Sequence, residues 1–408
     1  MKFVSQKLDN GLMIIGELNE FAKSAAVGFF VKTGARDETA QINGVSHFLE
    51  HMLFKGTNKL SALEVNEAFD KIGAQFNAFT SEENTVYYAA VLPEYIGDVT
   101  QLWSHLMRPA LRDDDFNMEK NVIKEEIAMY EDTPSFDVID RARNLYFGSH
   151  PCGNSVLGSR ETIDALTSSQ MREYFSRRYS PGNLTVAVAG NFDWGKTVKL
   201  IAENCSQWQP QNVTRPTPDY PGDVKSGRLE KQNINREHLC LVSPAASMQN
   251  ERRFAASLLS VIIGDSVGSR YFWALVDKAL AETAAMQFES MDGTGAFYSY
   301  IRCGSENLTT VLDIIKNLFD ELAAQGVTEH ELTKARNKVL SSLALRNEIP
   351  MGRLLSLGFD WVYLNQYRSI AQDVADVKAV TVDDINAFVK DFPLSRFTKF
   401  TLGPASQK

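Results

Sequence analysis

Along its first two hundred residues the chain changes its hydrophobic period several times. Residues 4–18 alternate in the manner of two short strands around the turn signal Asp9-Asn10-Gly11, and 25–33 form an apolar run rich in β-formers. At 44–54 and 62–72 the apolar positions recur at helical spacing. Residues 75–92 (QFNAFTSEENTVYYAAVL) return to strand, polar turn and strand, and 96–108 and 114–130 are again amphipathic helices. The run LTVAVAG at 184–190 follows the turn Ser180-Pro181-Gly182-Asn183 and reads as a buried strand. This layout predicts an α+β fold in which helices pack on one face of a largely antiparallel sheet.

The pattern breaks at 208–224, a stretch with four prolines and little apolar periodicity, as in an extended linker. The flanking parts echo one another. Ile163-x-Ala165-Leu166-Thr167-x3-Met171-x2-Tyr174 returns 214 residues later as Val377-x-Ala379-Val380-Thr381-x3-Ile385-x2-Phe388. Asp115-Phe116, Lys120, Asn121 and Pro134 are answered at an offset of 216 by Glu331-Leu332, Arg336, Asn337 and Pro350. Two echoes at nearly one offset predict a duplicated domain, 1–207 and 225–408, each with its own sheet and helices. A length of 408 residues agrees, since single cores stop growing well below it.

Composition narrows the function classes. With 44% hydrophobic and 23% charged residues the chain reads as a soluble globular protein. Its net charge of −9 argues against nucleic acid and anionic membrane as partners, because both require a basic surface. Cys152, Cys205, Cys240 and Cys303 are widely spaced, without a CxxC, and are expected to be reduced and structural. The N-terminal residues show neither a secretory h-region nor an Arg-rich transit pattern, so a cytoplasmic location is expected. No run approaches the roughly 18 to 20 apolar residues of a membrane span.

The chemistry concentrates in His47-Phe48-Leu49-Glu50-His51. On a helix at about 100° per residue, His51 lies roughly 40° round from His47 and one turn along, so both imidazoles reach one ion. Glu50 lies about 60° to the other side, where a general base for metal-bound water stands. The alternative is two surface histidines and a solvated glutamate. A catalytic zinc takes three protein ligands, so a third must come from elsewhere. The acid-rich segment 113–131 offers Glu119, Glu125, Glu126 and Glu131. Of these, Glu119 and Glu126 share a face to within about 20°, while Glu125 points about 100° away. The plainer reading of that segment is a charged solvent face partnered by Lys120 and Lys124. The duplication favours the metal: at the offset of 216, Ala335 and Ser342 replace Glu119 and Glu126, and Ile263, Ser266 and Val267 stand where the histidine motif would be. Loss of the whole set together is what one active and one degenerate domain would produce.

His47-x-x-Glu50-His51, set in Asn43-Gly44-Val45-Ser46 and Met52-Leu53-Phe54-Lys55-Gly56-Thr57, resembles the inverted zinc motif of the pitrilysin and insulin-degrading-enzyme family. The half-length form is similar to mitochondrial processing peptidase subunits and their bacterial relatives. Asp9-Asn10-Gly11-Leu12, Thr33-Gly34-Ala35-Arg36-Asp37-Glu38, Gly73-Ala74, Asn77-Ala78-Phe79-Thr80 and Tyr179-Ser180-Pro181-Gly182-Asn183 extend the resemblance along most of the chain. It implies a zinc metalloendopeptidase with His47, His51 and Glu126 on Zn2+, Glu50 as general base, and Glu119 supporting the catalytic site from behind.

The resemblance further implies a clamshell half of two domains, with an extended peptide or unfolded polypeptide added to the edge strand 75–80 and touched by Asn77 and Ala78. Phe79 is expected to pack in the core. In the second half, Gly268-Ser269-Arg270-Tyr271-Phe272 resembles the start of a family segment that leads to an Arg-x6-Tyr pair gripping substrate. Val276 and Thr283 occupy those positions. The missing pair suggests a heterodimer with a homologous zinc-free partner; a homodimer using Arg302, Tyr298 or Tyr300 is the alternative. The competing function is a catalytically silent scaffold subunit of the same fold.

Overall fold

The computed structural model describes residues 1–405. Six strands, β1 (Lys2–Lys7), β2 (Met13–Leu18), β3 (Ala25–Val31), β4 (Gln75–Thr80), β5 (Thr85–Val91) and β6 (Leu184–Gly190), form one sheet in the order β1-β2-β6-β3-β5-β4. All neighbours are antiparallel except β2 and β6. A second sheet, β7 (Ser226–Lys231), β8 (Glu237–Pro244), β9 (Thr283–Ser290), β10 (Gly295–Cys303) and β11 (Thr398–Pro404), has the order β7-β11-β8-β10-β9. There the parallel pair is β7 and β11. The parallel pair and the edge strand recur at matching places in both sheets, as a duplication requires. Residues 209–225 between them carry no helix or strand.

In the first sheet the period of two sorts residues between two cores. Ile14, Val27, Phe29, Val31, Val186 and Val188 face the helices Val45–Phe54, Ile96–Leu106 and Trp194–Cys205. Ile15, Ala26, Phe30, Val86, Ala187 and Ala189 face the other way, onto Leu354, Leu357 and Val362 of the helix Pro350–Leu364. That explains why β6 is buried along its whole length. Gly358 is required at this contact, because a Cβ there would lie 2.1 Å from the Phe30 ring. Arg353 on the same helix forks onto Glu17 of β2 with two bonds of 2.8 Å, and the Tyr367 hydroxyl donates to the same carboxylate at 2.7 Å. Both charged side chains are buried, so removing either partner costs about 3–5 kcal/mol.

The second sheet receives the counterpart. Helix Pro134–Phe147 lays Val138, Ala142, Tyr146 and Phe147 against Cys240, Val242, Tyr298 and Leu402. The compact units are accordingly discontinuous. One comprises Met1–Ala128, Asn154–Pro216 and Ala344–Arg368; the other comprises Met129–Gly153, Thr217–Leu343 and the described residues from Ser369 to Ala405. The linker boundary at 208–224 read from the sequence does not show this exchange, which moves one helix of each half into the other unit. All four cysteines are buried thiols. Among the described residues no helix is long and apolar enough to cross a membrane.

Candidate metal centre

The helix Val45–Phe54 starts at Gly44, whose φ of 96° lies in the left-handed region and whose Cβ position is occupied by the Leu157 carbonyl oxygen at 2.6 Å. Gly44 has no side chain with which to cap, and Glu38 takes over that role. Its carboxylate accepts the backbone N–H of Gly44 and of Ser46, each at 2.7 Å, and the Asn43 amide at 2.8 Å. Burial pushes the Glu38 carboxyl up to about 7 against these stabilising bonds. The Ser46 hydroxyl is bonded to Tyr174 at 2.8 Å. The first turn, which carries His47, is thereby fixed.

His47 and His51 then project toward Glu126 of the helix Asp113–Glu131. Glu126 Oε2 lies 3.6 Å from His47 Nε2 and 3.4 Å from His51 Nε2. The separation from His51 is at the long end for a hydrogen bond, and both match the roughly 3.3 Å between neighbouring ligand atoms of a tetrahedral zinc with bonds of about 2.0–2.1 Å. The three donor atoms lie within 4.8 Å of one another, and this is the one such group among the described residues. Glu125, the competing acid, is exposed on another face. Glu119 is buried behind His51, whose Nδ1–H donates to it at 2.9 Å, and Lys55 pairs with its other oxygen at 2.5 Å. This fixes the His51 tautomer with Nε2 turned toward Glu126.

Charge is arranged to suit a cation. Burial lowers the His47 imidazole to about 4, with help from its neighbour His51, so its lone pair is available at neutral pH. Burial acts the same way on His51, but hydrogen bonds and charge from Glu119 and Glu126 outweigh it and lift that ring to about 9. Glu126 is held below the usual carboxylate range, first by its hydrogen bond with His51. Without a metal, therefore, a proton on His51 and the Lys55 ammonium together balance the two carboxylates. The donor set fits Zn2+.

Glu50 is held from the sheet side. Thr80, at the end of β4, donates to Glu50 Oε2 at 2.7 Å, and burial raises the Glu50 carboxyl. Strand β4 is the edge of its sheet. Phe76, Ala78 and Thr80 alternate onto the helix side, where Phe76 stacks on Phe69 at 3.9 Å; Asn77 is exposed on the opposite face, and its Oδ1 accepts the Ala78 N–H. Phe79 packs against Tyr88 and Phe359, as expected of a structural residue.

Comparison with known proteins finds relatives along nearly the whole chain. The insulinase (peptidase family M16) domain matches residues 13–160, and the peptidase M16 inactive domain matches 165–339. The uncharacterized zinc protease YmxG of Bacillus subtilis is 31% identical over 393 residues, covering 95% of this chain and 96% of its own. The chain belongs to peptidase family M16. Among solved structures, a protease from Helicobacter pylori shares the fold with a TM-score of 0.91 at 22% identity, covering 99% of both chains. A chain of Complex III2 from Candida albicans does so with a TM-score of 0.84 at 17% identity, covering 98% of this chain and 95% of its own. The M16 assignment agrees with the half-length zinc-peptidase resemblance of the sequence.

Within this M16 chain the element order corrects one reading. The counterpart of Val45–Phe54 is Arg253–Gly264, which follows β8 and precedes β9. Counted from the first residue of each helix, Ala255, Leu258 and Leu259, all buried and apolar, hold the places of His47, Glu50 and His51. Ile263 lies at the end of that helix, and Ser266 and Val267 lie beyond it. The offset of 216 fits the helices Asp113–Glu131 and Glu329–Asn347 but fails upstream, because β9, β10 and helix Leu308–Gln325 are longer than β4, β5 and Ile96–Leu106. The absence of ligands in the second half stands. Sequence reasoning missed Glu38, Thr80 and Lys55 as supports, although all three lay inside quoted motifs.

Proposed function

We propose that this M16 chain is a zinc metalloendopeptidase that hydrolyses peptides bound in extended form along β4. The observation that carries the reading is the convergence of His47 Nε2, His51 Nε2 and Glu126 Oε2 next to a carboxylate, Glu50, anchored to an open sheet edge. When bound, zinc would polarise the scissile carbonyl and make water nucleophilic near neutral pH. The chain's own residues do the rest. The outer edge of β4 would align the substrate strand beside the small, buried Ala78, once the Ala78 N–H exchanges its bond to Asn77 Oδ1 for one to the substrate. Glu50, with one oxygen held by Thr80, takes a proton from the attacking water and returns it to the leaving amine. Burial raises the Glu50 carboxyl, which makes it a better acceptor of the water proton. Glu119 and Lys55 keep His51 oriented and touch no substrate.

The scaffold alternative draws on the fold likeness to the respiratory-complex chain, but an intact donor set with its support is unexplained by it. For assembly we favour a homologous partner that brings its own grip. Val276 and Thr283 cannot provide one, and the candidates within the chain are engaged. Arg302 pairs with Glu282 at 2.9 Å, Tyr300 bonds His238 at 2.8 Å, and Tyr298 is buried beneath helix Pro134–Phe147. The test is zinc content and hydrolysis of an unfolded protein by the purified chain, alone and with such a partner. Metal-free wild-type protein would favour the scaffold, and full activity as a homodimer would remove the partner.

A further inference from the structure

We propose that Arg215, in the proline-rich linker, is a positioning residue for the metal-bearing helix. The inference rests on the metal reading above. The first part of the linker is tied into the unit that holds the donor set. Arg215 forks onto Asp37, with Nε to Oδ1 at 2.9 Å and Nη2 to Oδ2 at 2.6 Å. Asp37 Oδ1 also pairs with Arg178 at 2.7 Å, and all three side chains are about nineteen-twentieths buried or more. Arg178 Nε donates to the Thr33 hydroxyl at 3.0 Å, Thr33 is bonded to Tyr174 at 2.7 Å, and Tyr174 to the Ser46 hydroxyl at 2.8 Å. Ser46 immediately precedes His47.

A second route is shorter. Asp37 is followed by Glu38, whose carboxylate holds the first N–H groups of the same helix. Asp37 is therefore the junction from which one branch reaches the helix through the backbone and the other through buried hydroxyls. Two arginines and the Gly34 N–H converge on the one Asp37 carboxylate, so a change at either arginine is felt along the chain of bonds. Arg36 adds a bond to the Pro216 carbonyl at 3.2 Å, next to Arg215. The linker thus acts as a strut up to Pro216, which its proline content alone does not suggest.

The experiment measures zinc affinity of the full chain by competition with a chromophoric chelator, alongside the melting temperature. Arg215→Met is expected to weaken zinc binding about tenfold, the scale on which supports behind metal ligands act. Arg215→Lys, which keeps the charge without the fork, should fall between. Tyr174→Phe interrupts the hydroxyl branch while keeping the ring, and its effect should be less than additive with that of Arg215→Met, since both act on one path. A lowered melting temperature with wild-type zinc affinity in Arg215→Met overturns the proposal and leaves Arg215 a staple. If that variant does not fold, wild-type affinity in Tyr174→Phe overturns it instead. Wild-type protein that binds no zinc overturns the metal reading and this proposal with it, whereas equal binding by wild type and variants overturns this proposal alone.

Discussion

His51 and Glu119 stand 2.9 Å apart, imidazole Nδ1 to carboxylate oxygen, so that the opposite ring nitrogen faces Glu126. This separates two kinds of acid on one helix. Glu126→Ala removes a donor atom and should reduce zinc content to near zero, as should His47→Ala and His51→Ala. Glu119→Ala removes only orientation and should weaken zinc binding about 10- to 100-fold. Glu125→Ala should change nothing. Metal analysis after gel filtration checks all five, and full zinc retention in Glu126→Ala would remove it from the donor set.

Glu50→Gln keeps the shape that Thr80 holds and cannot accept a proton. Zinc content and peptide binding should persist while turnover falls at least about a hundredfold. Steady-state kinetics with matched zinc content measure this, and near-normal hydrolysis would exclude Glu50 as the base.

The two histidines give the metal-stripped protein opposite pH dependences. His51, raised to about 9, contributes stability that is fully present below its ordinary value of 6.5 and is lost as pH rises through about 9. His47, lowered to about 4, has the reverse sign: its neutral form is favoured in the fold, and stability is lost as pH falls from 6.5 through about 4. As far as these groups decide it, the melting temperature with chelator present peaks near pH 6.5. Zinc must displace the His51 proton, so its apparent affinity should rise by up to about tenfold per pH unit toward pH 9. A zinc affinity independent of pH between about 7 and 9 would contradict the assignment.

Ala78 faces the helix side of the edge strand, two residues from Thr80. Because Ala78 is buried in the core, Ala78→Leu should displace the edge strand and raise KM about tenfold or more, together with a lowered melting temperature. Unaltered KM in peptide kinetics would place the substrate elsewhere. Asn77→Ala, on the opposite face, should have the milder effect.

The elements of the first half were legible because their periods are clean: β2, β3, β5 and β6 each fall inside the stretches read as strands. The metal helix was legible because 3.6-residue geometry alone brings His47 and His51 together. Choosing between Glu125 and Glu126 needed either the resemblance or the fold, since a helix's own periodicity does not say which face meets another helix. Glu38 was illegible as a cap because it acts across a loop on a glycine that cannot cap itself. The exchange of helices was illegible for a related reason: Leu354 and Leu357 announce an apolar face, not the sheet it covers.

That exchange bears on how the chain is made. Residues Ile15, Ala26 and Phe30 leave the ribosome long before Leu354 and Leu357, which cover them. Throughout most of synthesis one face of the first sheet has no lid, and its strands wait as exposed apolar surface of the kind that attracts chaperones or aggregates. A fragment ending at the linker would keep every zinc donor and still lack Arg353 for the buried Glu17. The donor-bearing unit cannot be cut out at the linker; its last structural part, the helix Pro350–Leu364, is made only after most of the second unit.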